Sequence, residues 1–203
     1  MSDSYVVAVE GISVLRTMET LPKSVITAAY RAVNRTTERA RTASSRLMRE
    51  QVNWNAQYLT GQNGKLELGG PASADHLERG ITGRFRPTSL ARFVVGNPTP
   101  GKAGVRVQVA PGFAKYMKRA FVIRLPQGSQ LTETKANLGL AIRLKPGEVL
   151  HNKIKMVKLK GGLTLLFGPS VDQVLSTVAE DVLPDTEAFL AQEFQRLLKL
   201  DLP

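Results

Sequence analysis

The chain contains no cysteine, which excludes disulfides, thiolate metal sites and a cysteine nucleophile. It has two histidines, His76 and His151, far apart in sequence and not at metal-ligand spacing. There is no His-Glu-x-x-His, no Gly-x-Gly-x-x-Gly and no Gly-x-Ser-x-Gly. The nearest approach to a phosphate loop is Gly96-Asn97-Pro98-Thr99-Pro100-Gly101-Lys102-Ala103. Ala103 stands where a magnesium-holding hydroxyl belongs, and two prolines remove backbone donors. The adjacent carboxylates Glu180 and Asp181 do not face one site on a helix. A non-enzymatic chain without cofactor or metal is therefore expected. Aromatic residues are only 6% of the chain, too few for a base-stacking platform. The single tryptophan, Trp54, reads as a core or subunit-interface anchor. No stretch approaches the roughly 20 apolar residues of a membrane span. Met1-Ser2-Asp3-Ser4 lacks the basic and apolar regions of a secretion signal, so a cytoplasmic start without a membrane partner is expected.

The hydrophobic content is 42% of 203 residues, enough for a real core. The length suits one domain, or one domain with an appendage. The net charge of +11 is uneven. Residues 61–170 carry 18 basic and 5 acidic side chains, whereas residues 171–203 carry 2 and 7. This division predicts a core domain over 1–170 and an acidic helical element over 171–203, packed on the core or on a neighbouring subunit. A basic body meets nucleic acid or an acidic protein. The acidic tail of one copy could equally meet the basic body of the next.

A long helix is expected from about 22 to 51, with Pro22 suited to its first turn. At 100° per residue, Arg31, Arg35, Arg39, Arg46 and Arg49 fall within an arc of about 80°. Val25, Ala29, Val33, Ala40, Ala43 and Leu47 gather on another face. Five aligned arginines repel each other without a partner. Tyr5 to Val9 is β-rich, Ile12 to Leu21 is ambiguous, and residues 72–79 read as a helical turn or two. Short strands follow: Leu66-Glu67-Leu68, the region around Ile81, Phe85, Leu90, Phe93 and Val95, then Val105–Val109 and Ala120–Leu125. Residues 126–140 read as a mobile loop. Lys153, Lys155, Lys158 and Lys160 mark either a lysine-guarded edge strand or a basic strand facing DNA or a neighbouring ring. Ser170 can cap a helix over 171–183, which Pro184 should break. Asp185 can cap a second helix to about Leu200, with Phe189, Leu190, Phe194, Leu197 and Leu198 as its stripe. Helix first, strands in the middle and helices last predict an α+β fold, with the helices packed on a mostly antiparallel sheet.

Three stretches carry a family resemblance. Ala28-Ala29-Tyr30-Arg31-Ala32-Val33-Asn34-Arg35-Thr36-Thr37-Glu38-Arg39-Ala40-Arg41 resembles the opening helix of the minor tail protein Z family of long-tailed phages and prophages. Arg86-Pro87-Thr88-Ser89-Leu90-Ala91-Arg92-Phe93 is similar to a family stretch in which Pro and Leu precede Arg-Phe. Leu165-Leu166-Phe167-Gly168-Pro169-Ser170-Val171 is similar to the family's aromatic-Gly-Pro-Ser-Val segment before its final helices. The resemblance implies a virion structural protein that completes the tail at its head-proximal end, where tail joins head. Small α+β subunits in sixfold rings are implied, touching a tail terminator or tail tube protein and a head–neck connector or stopper. Asn34, Arg35, Gly168, Pro169 and Ser170 are the structural positions it carries over. In that setting the arginine face lines a lumen with transient contact to genomic DNA, or pairs with Asp172, Glu180, Asp181 or Glu187 of the next subunit or ring. Arginine's planar fork suits the second role. Without the resemblance, a non-specific binder of double-stranded DNA acting through the basic body is the alternative.

Overall fold

The computed structural model describes residues 5–8, 21–134, 136–145, 147–148 and 155–201. In chain order it contains β1 (Tyr5–Ala8), α1 (Lys23–Gln51), α2 (Ala56–Thr60), β2 (Leu66–Leu68), β3 (Glu78–Gly83), β4 (Pro87–Ser89), β5 (Val94–Val95) and β6 (Val105–Ala110). Then come β7 (Phe113–Met117), β8 (Ala120–Arg124), β9 (Leu138–Arg143), β10 (Lys155–Lys158), β11 (Leu163–Ser170) and α3 (Val171–Asp201). The fold is α+β with antiparallel pairing in every ladder. The strands form three sheets where one was expected. The reason is local: the strands are two to eight residues long, and glycine and proline turns separate them.

The chain forms two compact units, and the division differs from the expected 1–170 and 171–203. The first unit contains residues 1–48, 55–84 and 172–203; the second contains 49–54 and 85–171. The C-terminal helix is thus part of the first unit and no appendage.

In the first unit, α1 runs 29 residues without an internal glycine or proline. The Pro22 carbonyl accepts from Val25 and Ile26, closing the first turn. The buried face of α1 is made of small residues, including Ala28, Ala29, Ala32, Val33, Thr36, Thr37, Ala40, Ser44 and Ser45. Val25, Ala43 and Leu47, expected inside, are only half-buried. The Thr37 hydroxyl goes inside because it finds a partner on its own helix: Oγ1 donates to the Val33 carbonyl at 2.7 Å. The neighbouring Thr36 Oγ1 is buried without a hydrogen-bond partner among the described residues. Leu197 of α3 packs on Ala28 and Ala32, joined by Leu190, Phe194 and Leu198. In the sheet of this unit β3 is central, flanked by β1 and β2. Ile81, fully buried, faces Tyr5 on one side and Leu68 on the other.

The two C-terminal helices expected from Pro184 are a single helix of 31 residues with that proline inside it. Proline removes one backbone donor. Buried side chains on both sides, Val178 and Val182 before and Leu197 after, hold the helix through the gap. Asp185, expected as a cap, is an exposed mid-helix residue. Residues 73–76 make a tight turn with a Ser73–His76 bridge in place of the expected helical turn.

The second unit holds a sheet in the order β10-β11-β9-β8, with β4 also paired to β11, and a smaller sheet β5-β6-β7. Leu125, Ala141, Leu165 and Phe167 form its main cluster, with Phe121, Ile123 and Leu131 packed against them. Trp54 is buried and tilts against Phe93 at 6.5 Å between ring centroids. Residues 126–134, expected as a mobile loop, are tied down. The Glu133 carboxylate accepts from the Ser89 backbone at 3.0 Å, and Arg92 donates to the Glu133 carbonyl at 3.1 Å. The Thr134 hydroxyl accepts from Leu138 N at 2.6 Å. The sequence pattern also hid β7, because Phe113 and Tyr116 do not alternate with period two.

Candidate functional site

The arginines of α1 are the first candidate. Arg31, Arg35, Arg39, Arg46 and Arg49 are all exposed, but they do not form an open, unpartnered face. Arg35 Nη1 reaches Glu193 Oε1 of α3 at 2.5 Å. Arg39 lies over the Phe189 ring at 4.4 Å from its centroid, a cation–π contact. Arg49 belongs to the second unit. Within the chain, Arg35 of this face meets the Glu193 carboxylate.

Glu193 is buried, with its side chain only 7% exposed, and is bracketed by two guanidinia. Arg196 donates from Nε at 2.8 Å and from Nη2 at 2.7 Å. These bonds from Arg196, and the further bond from Arg35, hold the Glu193 carboxyl down at about 2 against the opposing effect of burial. The signal for this residue was present in the sequence: position 193 lies within the apolar stripe of α3, where a lone carboxylate needs a partner.

The asparagine of the 28–41 stretch has a folding task. Asn34 Nδ2 donates to the Ala72 carbonyl at 2.9 Å, and Asn34 Oδ1 accepts from Ala72 N at 2.8 Å. One side-chain amide thus pairs with one peptide unit as a strand neighbour would. Arg79 adds a bond to Glu38 at 3.1 Å. Arg41, which no sequence pattern singled out, donates to the carbonyls of Leu66 and Thr60 at 2.9 and 3.2 Å. These bonds fasten α1 to the chain leaving α2 and to β2.

Gly168 and Pro169 lie in the last turn of β11, where its pairing with β4 shifts register between Phe167 and Ser170. One extra residue on β11 makes a bulge, a place where a proline lacking N–H is tolerated. A Cβ on Gly168 would stand 3.2 Å from Leu90 Cδ2 and 3.4 Å from Phe93 Cε2. Glycine is required there by close approach. Ser170 is buried at the end of β11, directly before α3.

Lys153 lies outside the described residues, as does His151. Lys155 and Lys158 stand on β10, at one end of the sheet order, and Lys160 follows in a short 3-10 turn. Lys158 and Lys160 are exposed. A cleft of about 550 Å³ borders this strand and includes Arg143, Lys145, Glu148, Lys158 and Thr164. Its one carboxylate, Glu148, is paired with Arg119. The bond from Arg119, then that from the Lys145 backbone, lowers the Glu148 carboxyl to about 2. The described residues lining the cleft include no histidine and no nucleophile–base pair. His76 is exposed in the turn after Ser73. Among the described residues no group of three or more His, Cys, Asp or Glu could hold a metal, and no helix is long and apolar enough to cross a membrane.

The charge is partitioned by fold unit. The second unit carries 16 basic and 3 acidic residues, net +13, and the first carries 12 and 14, net −2. On α3, Glu180, Asp181, Asp185 and Glu187 are exposed, whereas Asp172 is half-buried and its N–H donates to the Arg84 carbonyl. What the arrangement offers chemically is charge complementarity between different surfaces. Comparison with family models, with curated proteins and with solved structures finds no match to this chain.

Proposed function

We propose that this chain is a structural part of a phage virion, of the minor tail protein Z kind, which completes the tail at its head-proximal end and prepares it to join the head. It is an assembly part and not an enzyme. It works as one of several copies in a ring, six by the resemblance. Its further partners are a tail terminator or tail tube protein and a head–neck connector or stopper. It assembles in the host cytoplasm, resides in the virion, and meets genomic DNA only in passing.

The observation that carries the assembly reading is the separation of charge between a +13 unit and an exposed acidic run on α3. Head-to-tail contacts around a ring join two different surfaces, and such contacts need complementary ones. The placement at a tail end rests on the three stretches around Asn34, Leu90 and Gly168 that resemble the family. Electron microscopy of purified tails lacking the protein, mixed with it, tests the reading. Density of fixed rotational symmetry at the head-proximal end is expected. Decoration of DNA with tail ends left bare would refute it.

The second reading, non-specific binding of double-stranded DNA, is favoured by the same basic unit. Its affinity would fall steeply and linearly in log–log form with salt, and it would require no defined oligomer.

A further inference from the structure

The hairpin formed by β6 and β7 is built unlike the rest of the second unit. β7 ends its sheet, so among the described residues its outer edge has no strand neighbour. The opposite side of β6 is occupied by β5 and then by Asn53, whose N–H donates to the Val109 carbonyl at 2.7 Å. Phe113 is 72% exposed and Tyr116 61%, the largest apolar surfaces on the hairpin. Tyr116 stands directly across the ladder from Arg106, and its hydroxyl lies over Gly104, where a Cβ would come within 2.4 Å. The missing side chain at Gly104 leaves room for that hydroxyl. Arg106, Lys115 and Lys118 are exposed, and none has a carboxylate within ion-pair distance among the described residues. Side chains alternate along β7, so Phe113 and Lys115 share one face of the hairpin and Tyr116 shares the other with Arg106, Lys118 following just beyond the strand. Isolated exposed apolar residues are ordinary, but a large ring beside two cations on a strand edge marks a contact surface.

A complementary surface exists on the same chain. Glu180, Asp181, Asp185 and Glu187 are exposed within about two turns of α3. No basic residue occurs on α3 before Arg196. Leu183, 41% exposed, sits among the carboxylates. Four like charges so close repel one another and favour a cationic partner.

We propose that the β6–β7 hairpin of one copy docks on the 180–187 stretch of α3 in a second copy. Arg106 and Lys118 meet the carboxylates, and Tyr116 covers Leu183. The contact joins unlike surfaces, so it leaves one of each free and can repeat from copy to copy. A protein helix is favoured over nucleic acid as occupant because the hairpin presents a bare ring beside its cations. The acidic stretch offers an apolar side chain to cover it, and a phosphate backbone does not. The inference rests on the assembly reading only in requiring self-contact. A chain that self-associates through these surfaces yet ignores tail ends would keep this inference and sink the tail assignment.

Charge reversal with swapped mixing tests it on the full chain. Sedimentation velocity at about 50 mM salt should show concentration-dependent self-association of the wild type, weakened at about 0.5 M where screening is short-ranged. Arg106→Glu with Lys118→Glu should weaken association at least about tenfold, and so should Glu180→Lys with Asp181→Lys. Mixing the two double variants should restore it, because each hairpin then meets an opposite charge. Tyr116→Ala, which truncates an exposed side chain, should weaken association about tenfold without altering the circular dichroism. A wild type that stays monomeric throughout the concentration series overturns the proposal. So does a mixture that fails to associate. Loss of duplex-DNA binding in the hairpin variant, with self-association unchanged, would reassign the hairpin to nucleic acid.

Discussion

Replacing Glu193 by glutamine keeps the shape of the side chain and removes its charge. In the wild type its two oxygens take three bonds, one from Arg35 of α1 and two from Arg196 of α3. Hydrogen bonds to charged groups contribute roughly 1.5–3 kcal/mol, whereas exposed pairs three or four residues apart on a helix contribute about 0.3–0.5 kcal/mol. The carboxylate side chain is 7% exposed, but the Arg35 and Arg196 side chains are 59% and 47% exposed and can return to water. The expected cost of Glu193→Gln is therefore about 1–2 kcal/mol at pH 7. For a chain of this size that lowers the melting temperature by about 2–8 °C. The pH dependence has a definite sign. The folded carboxyl titrates at about 2, below its ordinary 4.5. Its contribution is fully present above the ordinary value and is lost as the pH falls from about 4.5 to about 2. The stability gap between wild type and variant should close over that window. Urea unfolding followed by circular dichroism across a pH series measures both effects. Equal stability at pH 7, or a gap that persists undiminished at pH 2, would show that Glu193 is not what ties Arg35 to α3.

Substitutions at three further positions probe the fold. Asn34→Ala removes both bonds to the Ala72 peptide and should cost about 2–3 kcal/mol in urea unfolding. An Asn34→Asp protein as stable as wild type would mean that the donor to the Ala72 carbonyl is dispensable. Gly168→Ala places a methyl 3.2 Å from Leu90 Cδ2 and should cost about 1 kcal/mol, and Gly168→Val about 2–3 kcal/mol; a graded fall in melting temperature is the expected readout. Pro184→Ala restores a backbone donor inside α3 and should stabilise the chain by about 1–3 kcal/mol. A lower melting temperature would show instead that the proline geometry is needed.

The long helix α1, the helical character of the C-terminal stretch and the α+β order were legible because periodicity and composition are local properties. Pro22 and the glycine-free stretch after it placed α1 within a residue of its observed start. Val105–Val109 was legible by strict alternation, and β6 lies there with one residue more. The arginine arc on α1 was legible too, but its meaning was not. Spacing along one helix cannot say that Glu193 and Phe189, more than a hundred residues later, lie against Arg35 and Arg39. Pro184 misled for the same reason: a local rule ends the helix, and side chains buried on both sides of it carry the helix on. Residues 126–134 looked mobile because their composition is polar, yet Glu133, Thr132 and Thr134 spend that polarity on hydrogen bonds within the unit.

By itself the sequence determined the absence of thiol chemistry, the class of the fold, the positions of α1 and β6, and the opposition of a basic body to an acidic C-terminal run. Those follow from residue type and spacing, which no folding step alters. Tertiary structure alone decided that α3 belongs with α1 and that Glu193 takes up Arg35. It also set Asn34 on the peptide of Ala72 and left Phe113 and Tyr116 bare on an open edge. These are pairings between distant parts of the chain, and their energies depend on burial and on distances that come into being only when the chain packs.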